Sequence, residues 1–441
     1  MLYKIARLFY TNLQCYNIQI RKLILYKIAK KDYNSVMTKK RWLATKIEES
    51  LKTRRVTILV GARQCGKTTL ACDIAKPDNF EYTTLDDEEE IAQIDPNGFI
   101  KHDKKTMIID EIQRVPKLIT AIKKAVDKDN RYGQYIITGS ADIQSLPSVK
   151  ESLAGRAKKI RLRPFSYGEY LELEPNFMNR LKNKRFVNNS GYDKKRIIEL
   201  AFKGGFPEPL LHLDSADIKE WYADYTDLIL DNDLKYVANI KRQNKLRMLF
   251  NVMNAYSSKY ITKSDIAREL AISRITLDEY LNILEKVYLI DGLPIWYKRD
   301  YESAQDKTKY FACDTGLMSS ILNWNEKEVY KDSDKSGKIT ETFVYNQLAP
   351  QIDLERNTSL YHWRDSRKRE IDFIIETKNE IFGIEVKSGT DIKSDSFKHL
   401  EWFKDNLAQN KSFTGLILYT GERTMTWSNG MFTVPINNLW E

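Results

Sequence analysis

The chain has 441 residues and a formal net charge of +10, with 42% hydrophobic and 30% charged residues. This composition is typical of a soluble globular protein, and the length suggests about three domains. The cysteines have no metal-binding spacing, which argues against a cysteine-based metal site, and we expect reduced thiols in a cytoplasmic protein. They are Cys15, Cys65, Cys72 and Cys313.

Much of the positive charge lies in the leader, residues 1–36, which has seven Lys or Arg residues and one acid, Asp32. The leader contributes +6 of the +10, so the remaining +4 is weak evidence for a polyanionic partner. It has neither an apolar run that could span a membrane nor the features of a signal peptide. A basic amphipathic surface helix is one interpretation, and a native start at Met37 is another.

The first strong motif follows a short apolar strand, 56–60, and has the spacing G-x-x-x-x-G-K-T before an apolar helix. It comprises Gly61, Ala62, Arg63, Gln64, Cys65, Gly66, Lys67, Thr68 and Thr69. Backbone N–H groups of such a loop, and the positive end of the helix after it, bind phosphate oxygens. Lys67 is expected to reach the β- and γ-phosphates, and Thr68 to ligate Mg²⁺. The motif therefore predicts binding of ATP with Mg²⁺.

Strand and helix patterns alternate around this motif, which favours an α/β fold with a parallel sheet. The expected strands are 56–60, 80–85, 105–111, 134–138 and 159–164. Because ligands bind beyond the carboxyl ends of such strands, Gly61, Asp110 and Thr138 should converge. Asp110 is expected to bind Mg²⁺ and Glu111 to polarise the attacking water. Thr138 or Ser140 would orient that water, although either could instead cap a helix.

Arg156, after a further loop, is either a surface residue or an arginine finger that stabilises the transferred phosphoryl group. Several short motifs of the chain resemble the bacterial and archaeal AAA+ ATPases in which a P-loop domain precedes a domain of unknown function, DUF4143. The matching segments are 61–70, 109–113, 138–140, 153–156, 163–170, 204–209 and 311–317. The resemblance implies an AAA+ fold and makes Arg156 a candidate sensor or arginine finger. Action of Arg156 on a neighbouring subunit would require a homo-oligomer.

Residues 261–287 have a helix-turn-helix pattern, and the residues that follow could form a wing. The second helix could enter a DNA groove. From 273 to 287, however, there are two bases and three acids, and this excess of acids would repel phosphates. DNA binding and a packing or protein-partner role both remain open.

The second sharp motif lies near the carboxyl terminus, where Asp372 opens an apolar strand and Glu385 and Lys387 share one face of the next. Glu341 is expected to begin a helix and could supply a third acid. Carboxylates suit Mg²⁺ or Mn²⁺, and Lys387 could position or deprotonate a water beside the metal. The spacing resembles the restriction-endonuclease-like PD-(D/E)xK superfamily, which implies phosphodiester hydrolysis. A charged surface hairpin and an inactive nuclease fold are the alternatives.

We expect a leader, a P-loop ATPase domain, a helical region, a winged-helix domain and a PD-(D/E)xK nuclease-like domain. Their bounds are 1–36, 37–172, 173–245, 246–312 and 313–441. The polar stretch 331–338 is predicted to be a loop. The expected function is a Mg²⁺-dependent ATPase that couples its nucleotide state to a nuclease-like module acting on DNA or RNA. The alternative is a nucleotide-controlled protein-binding switch with an inactive nuclease-like domain.

Overall fold

The computed structural model describes residues 39–75, 80–141, 153–188, 191–231, 234, 243–297 and 308–441. The leader and the alternative start at Met37 lie outside these residues. Residues 41–441 group into one unit by their contacts. In the described part of the chain, no helix is both long and apolar enough to cross a membrane.

A parallel five-stranded sheet surrounds the P-loop, with the strand order β2-β3-β4-β1-β5. The strands are β1 (Val56–Val60), β2 (Phe80–Thr84), β3 (Thr106–Asp110), β4 (Tyr135–Gly139) and β5 (Ala157–Arg161). The three central strands are buried along their whole length because helices cover both faces of the sheet. The edge strand β5 is instead only partly buried at four of its five residues and carries two lysines, as edge strands commonly do. The predicted α/β sheet is confirmed.

In the described residues between 44 and 161, five helices accompany this sheet, and the second starts directly at the P-loop. They are α1 (Ala44–Thr53), α2 (Lys67–Ile74), α3 (Leu85–Ile94), α4 (Pro96–Phe99) and α5 (Lys117–Lys128). Helix α5 has apolar residues at helical spacing, such as Leu118, Ile122 and Val126, and buries them in the core. The P-loop thus leaves the centre of a rigid, well-packed sheet.

The middle of the chain is helical. Its helices are α6 (Tyr167–Tyr170), α7 (Phe177–Asn183), α8 (Lys194–Lys203), α9 (Pro207–Leu211), α10 (Ser215–Asp231), α11 (Gln243–Ala255), α12 (Lys263–Glu269) and α13 (Arg274–Lys286). Helix α13 begins where the Ser273 hydroxyl accepts a hydrogen bond from the Thr276 N–H at 3.0 Å. An antiparallel ribbon follows, formed by β6 (Ile290–Leu293) and β7 (Lys309–Ala312).

The carboxy-terminal part contains a mixed six-stranded sheet with the order β12-β13-β11-β10-β9-β8. Its strands are β8 (Ser359–Arg364), β9 (Glu370–Glu376), β10 (Glu380–Lys387), β11 (Ser412–Tyr419), β12 (Met425–Thr426) and β13 (Phe432–Pro435). Its helices are α14 (Thr315–Ile321), α15 (Glu326–Lys331), α16 (Ser333–Ile352) and α17 (Lys398–Asn406). Helix α16 packs on one face of the sheet and α17 on the other.

Two local predictions in this region are wrong. Residues 331–338 are not a loop, because Asp332 caps α16 by accepting hydrogen bonds from the N–H groups of Asp334 and Lys335. Glu341 does not begin a helix but lies inside α16, where 14 of the 20 residues are buried. A helix that is buried nearly all round lacks the amphipathic pattern by which its start could be recognised.

Candidate nucleotide site and carboxylate cluster

Two glycines give the P-loop its shape. Gly61 has φ +153°, and a Cβ added there would lie 2.1 Å from the carbonyl oxygen of Leu162. Gly66 has φ +96° at the start of α2, where a left-handed backbone favours glycine. Gln64 also has a positive φ, +59°. The loop therefore turns sharply between β1 and α2 and presses against the residue that follows β5.

Lys67 lies over this loop with only 4% of its surface exposed. Its Nζ donates hydrogen bonds to the carbonyl oxygens of Gly61 at 3.1 Å and Ala62 at 3.0 Å. Thr68 and Thr69 follow on the first turn of α2. The ammonium group is thus held at the mouth of the loop, where it could exchange these carbonyls for phosphate oxygens.

The structure brings Asp110 together with Thr68 and Thr138. Asp110 Oδ2 accepts a hydrogen bond from the Thr68 hydroxyl at 2.8 Å and from the Tyr82 hydroxyl at 3.3 Å, and Oδ1 accepts one from Thr138. Burial raises the pKa of Asp110, against the effect of these hydrogen bonds. Hydroxyl and carboxylate oxygens this close are the donor set that Mg²⁺ prefers, so the residues fit the ion.

Glu111 has the backbone of a left-handed turn, φ +56° and ψ +46°. Its carboxylate accepts hydrogen bonds from the Ser140 hydroxyl at 3.1 Å and from the Gln113 amide. Burial alone would raise the pKa of Glu111, but Lys67, Gln113 and Ser140 together lower it. The carboxylate is therefore ionised at neutral pH and can accept a hydrogen bond from water. Gln113 was not expected from the sequence, although it belongs to the segment 109–113.

Arg41 supports the loop from outside the motif. Its guanidinium donates to the Cys65 carbonyl oxygen at 3.1 Å, to the Arg163 carbonyl oxygen at 2.6 Å and to Glu169 Oε1 at 3.1 Å. Both side chains of the Arg41–Glu169 pair are buried, with exposed fractions of 6% and 3%. Arg41 was not predicted from the sequence. The only indication was that two of its partners, Arg163 and Glu169, belong to the matching segment 163–170.

Helix α10 contacts the loop from the other side, through the Tyr225 hydroxyl, which donates to the carbonyl oxygen of Arg63 at 3.1 Å. Cys65 is a free, fully buried thiol within the loop. The P-loop is therefore packed against the residues around β5 and against the helical region.

Arg156 does not join the nucleotide site of its own chain. Its carbonyl oxygen accepts a hydrogen bond from the N–H of Val56, at the amino end of β1, whereas the P-loop leaves the carboxyl end. Its Nη2 lies 3.0 Å from Oδ2 of Asp127. A role for Arg156 at a neighbouring subunit stays a prediction.

Near the carboxyl terminus, three carboxylates surround one ammonium group, and we call this set the carboxylate cluster: Glu341, Glu370, Asp372 and Lys309. Lys309 Nζ lies 2.5 Å from Glu341 Oε1, 3.0 Å from Glu370 Oε1 and 3.3 Å from Asp372 Oδ1. Lys309 is 1% exposed, and although burial would lower its pKa, the three acids raise it. Lys309 was not predicted from the sequence.

Glu385 and Lys387 lie beside the cluster. Lys387 Nζ is 3.3 Å from Glu385 Oε2, and Asp372 Oδ2 accepts a hydrogen bond from the Val386 N–H at 2.8 Å. Burial, followed by repulsion from Asp372, raises the pKa of both Glu341 and Glu385. Within the described ranges, no group of three or more acidic, histidine or cysteine side chains is arranged to hold a metal ion.

Asp291, on β6, connects three parts of the fold. Its Oδ1 lies 2.5 Å from Arg161 Nη2, and its Oδ2 pairs with Arg163 and accepts a hydrogen bond from the Tyr345 hydroxyl at 3.0 Å. Burial alone would raise the pKa of Asp291, but the two arginines lower it to about 2. Arg163 also pairs with Asp353 at 2.6 Å. The end of β5, the ribbon and α16 therefore meet at one buried carboxylate.

Three family models match this chain. They are an AAA domain over residues 53–171, a domain of unknown function (DUF8612) over 194–328 and another (DUF4143) over 336–439. Uncharacterized proteins from Mycobacterium tuberculosis and Mycobacterium bovis are each 25% identical over 408 residues, covering 92% of this chain and 85% of their own. One from Haemophilus influenzae is 24% identical over 339 residues, covering 75% and 77%.

Solved structures with a similar fold include the Walker-type ATPase of Pyrococcus abyssi. It has a TM-score of 0.42 and 16% identity, over 63% of this chain and 94% of its own. The RuvB Holliday junction branch migration motor of Thermotoga maritima has a TM-score of 0.26 and 18% identity, over 61% and 89%. Structural similarities this distant give no information about function. From the AAA-domain match and the P-loop sheet, residues 53–171 form an AAA-type P-loop ATPase domain, and residues 336–439 match the domain of unknown function DUF4143.

Proposed function

We propose that the chain is a Mg²⁺-dependent ATPase that works as a nucleotide-controlled switch. ATP at the P-loop would set the position of the β6–β7 ribbon and α16, and thereby the binding of a protein partner. The observation that carries this proposal is the buried Asp291 carboxylate, which joins Arg161 and Arg163 of the P-loop region to Tyr345 of the carboxy-terminal part.

The contact between Gly61 and Leu162 supports the coupling. Leu162 follows β5 directly and lies between Arg161 and Arg163, which hold Asp291. Because Gly61 has no room for even one added carbon against Leu162, a shift of the P-loop must move these neighbours. Nucleotide phosphates can bias a packed interface of this kind.

Within the proposed hydrolysis, each residue has a separate task. Thr68 and Asp110 would hold Mg²⁺, which neutralises phosphate charge when it is bound. Lys67 would leave the carbonyls of its own loop for the β- and γ-phosphates. Glu111 would turn from Ser140 towards the attacking water, orient it and accept its proton as a general base. Thr138 keeps the Asp110 carboxylate in position by its hydrogen bond.

The exposed face of α13 favours a protein partner over DNA. It presents Arg274, Ile275, Asp278, Glu279 and Asn282. Ile275 is 74% exposed, and the face has two acids and one base. An apolar group among acids suits a protein surface with basic residues, whereas phosphates would be repelled.

Action on nucleic acid is the second candidate, and one observation favours it. Arg367 and Lys368 are exposed in the turn between β8 and β9, two to three residues before Glu370 of the carboxylate cluster. Basic side chains at such a turn could contact a phosphate backbone. A nuclease assay with Mg²⁺ or Mn²⁺ tests this candidate, and cleavage that persists in Asp372→Ala would remove the cluster from the reaction.

The switch is tested by two measurements on the full chain. Phosphate release should fall about 100- to 10,000-fold in Glu111→Gln, because a general base contributes that much, while ATP binding persists. Hydrogen–deuterium exchange in residues 333–352 should change when Mg-ATP is added to Glu111→Gln. The change should be absent in Lys67→Ala, which lacks the phosphate-binding ammonium. If ATP binds tightly and exchange in this helix stays the same, the coupling does not exist.

A further inference from the structure

We propose that the Lys309 ammonium is the built-in cation of the carboxylate cluster and stands where an acidic metal site would hold a divalent ion. The predicted metal ligands Glu341 and Asp372 both face this ammonium group. In this conformation, a lysine therefore compensates the charge of the clustered acids, and the cluster does not bind a metal ion.

Three carboxylates lie within 3.3 Å of Lys309 Nζ. The ammonium donates hydrogen bonds to Glu370 Oε1 and Asp372 Oδ1 and forms an ion pair with Glu341 Oε1. These separations are those of ion pairs, whereas Mg²⁺ requires six oxygen atoms at about 2.1 Å in near-octahedral geometry. A metal bound between Glu341 and Asp372 would lie within a few ångströms of the ammonium, and the two cations would repel each other.

Most of the negative charge of the region is also compensated without a metal. Lys387 pairs with Glu385, and Arg364 Nη1 lies 3.2 Å from Glu370 Oε2. Together with Lys309, three cationic side chains face four carboxylates. Buried carboxylates require such partners, and here the chain itself provides them.

Lys309 comes from outside the sheet that carries most of the acids. It lies on β7, paired with Leu293 of β6, while Glu370 and Asp372 lie on β9 and Glu341 on α16. The ion pairs therefore fasten the ribbon to the carboxy-terminal domain. A metal ion could not replace Lys309 in this role, because the ion is not part of the ribbon and would not connect it to the carboxy-terminal domain.

The experiment uses the nucleotide-free full-length protein and Mn²⁺ as the probe, with bound ion counted by electron paramagnetic resonance. We expect the wild-type protein to bind no Mn²⁺ at the cluster. Asp372→Asn should therefore leave the number of bound Mn²⁺ ions unchanged. Lys309→Met should bind one additional Mn²⁺ per chain, with an affinity of the cluster for Mn²⁺ at least about tenfold higher than in the wild type. This additional binding should be lost again when Asp372→Asn is added. Mn²⁺ should also raise the melting temperature of Lys309→Met but not that of the wild type, because it replaces the lost cation.

Lys411→Met is the matched control, since Lys411 pairs with Glu376 at 2.8 Å on the same sheet but is 30% exposed. It should behave like the wild type. Wild-type Mn²⁺ binding that Asp372→Asn abolishes would overturn the proposal, and so would a folded Lys309→Met that gains no site. If Lys309→Met does not fold, the wild-type titration alone decides. Because the Mn²⁺ experiment contains no nucleotide, a negative result would refute the role of Lys309 without bearing on the proposed ATP switch.

Discussion

Replacement of Asp291 by asparagine tests the buried junction between the P-loop region, the ribbon and α16. Folding lowers the pKa of Asp291 from 3.8 to about 2, because Arg161 and Arg163 stabilise its ionised form. At 1.36 kcal/mol per unit, this corresponds to about 2 kcal/mol of stability at neutral pH. Removal of one partner from a buried ion pair costs about 3–5 kcal/mol in other proteins.

The loss in Asp291→Asn should lie between these two figures, at about 2–3 kcal/mol. Arg163 keeps its contact with Asp353 at 2.6 Å, and Arg161 is 25% exposed and can turn to solvent. Urea unfolding at pH 7, followed by circular dichroism, measures the difference. Asp265→Asn is the control, because Asp265 and its partner Arg268 are 63% and 79% exposed, and it should leave stability unchanged.

The pH dependence has a defined sign. A carboxyl group whose pKa is lowered by folding contributes stability above its unfolded pKa and loses it as the pH falls towards its folded pKa. The difference between the wild type and Asp291→Asn should therefore be complete at pH 7 and shrink between about pH 4 and pH 2. A loss at pH 7 no greater than that of Asp265→Asn would refute the reasoning.

Three further substitutions have expected outcomes. Gly61→Ala should abolish ATP binding in calorimetry and destabilise the protein by more than about 1 kcal/mol, because its Cβ would meet Leu162 and the backbone has a positive φ. Gly337→Ala should raise stability by about 0.5–1 kcal/mol in thermal unfolding, since the added carbon meets nothing inside α16. Arg156→Ala should lower ATP turnover about 1,000-fold or more if it serves a neighbouring subunit. Mixing it with Lys67→Ala should then restore activity that neither variant has alone, and no restoration would exclude that role.

The P-loop sheet was predictable because local sequence determines it. Each central strand is a short apolar run between polar turns, and the motif from Gly61 to Thr69 specifies both a loop and the start of a helix. The convergence of Asp110 and Thr138 followed from the parallel sheet alone, since strands in such a sheet end at one edge. The hydrogen bond between these two residues confirms this convergence.

The supporting contacts could not be predicted because they join distant parts of the chain. Arg41 and Glu169 are separated by 128 residues, and Lys309 and Asp372 by 63. A single arginine or lysine in a sequence is usually exposed, so nothing marks the few that become buried. Arg156 pairs with Asp127 in its own chain, and its role at a neighbouring subunit stays a prediction.

The ribbon and α16 meet at two points on one helix face. Glu341 and Tyr345 are four residues apart, which places them one above the other on a helix. Glu341 contacts Lys309 of β7, and Tyr345 contacts Asp291 of β6. Because β6 and β7 are hydrogen-bonded to each other, both contacts must move together when the ribbon moves. A displacement of the arginines beside the P-loop would therefore be transmitted to the carboxylate cluster through the hydrogen-bonded ribbon. The nucleotide would not need to contact the cluster.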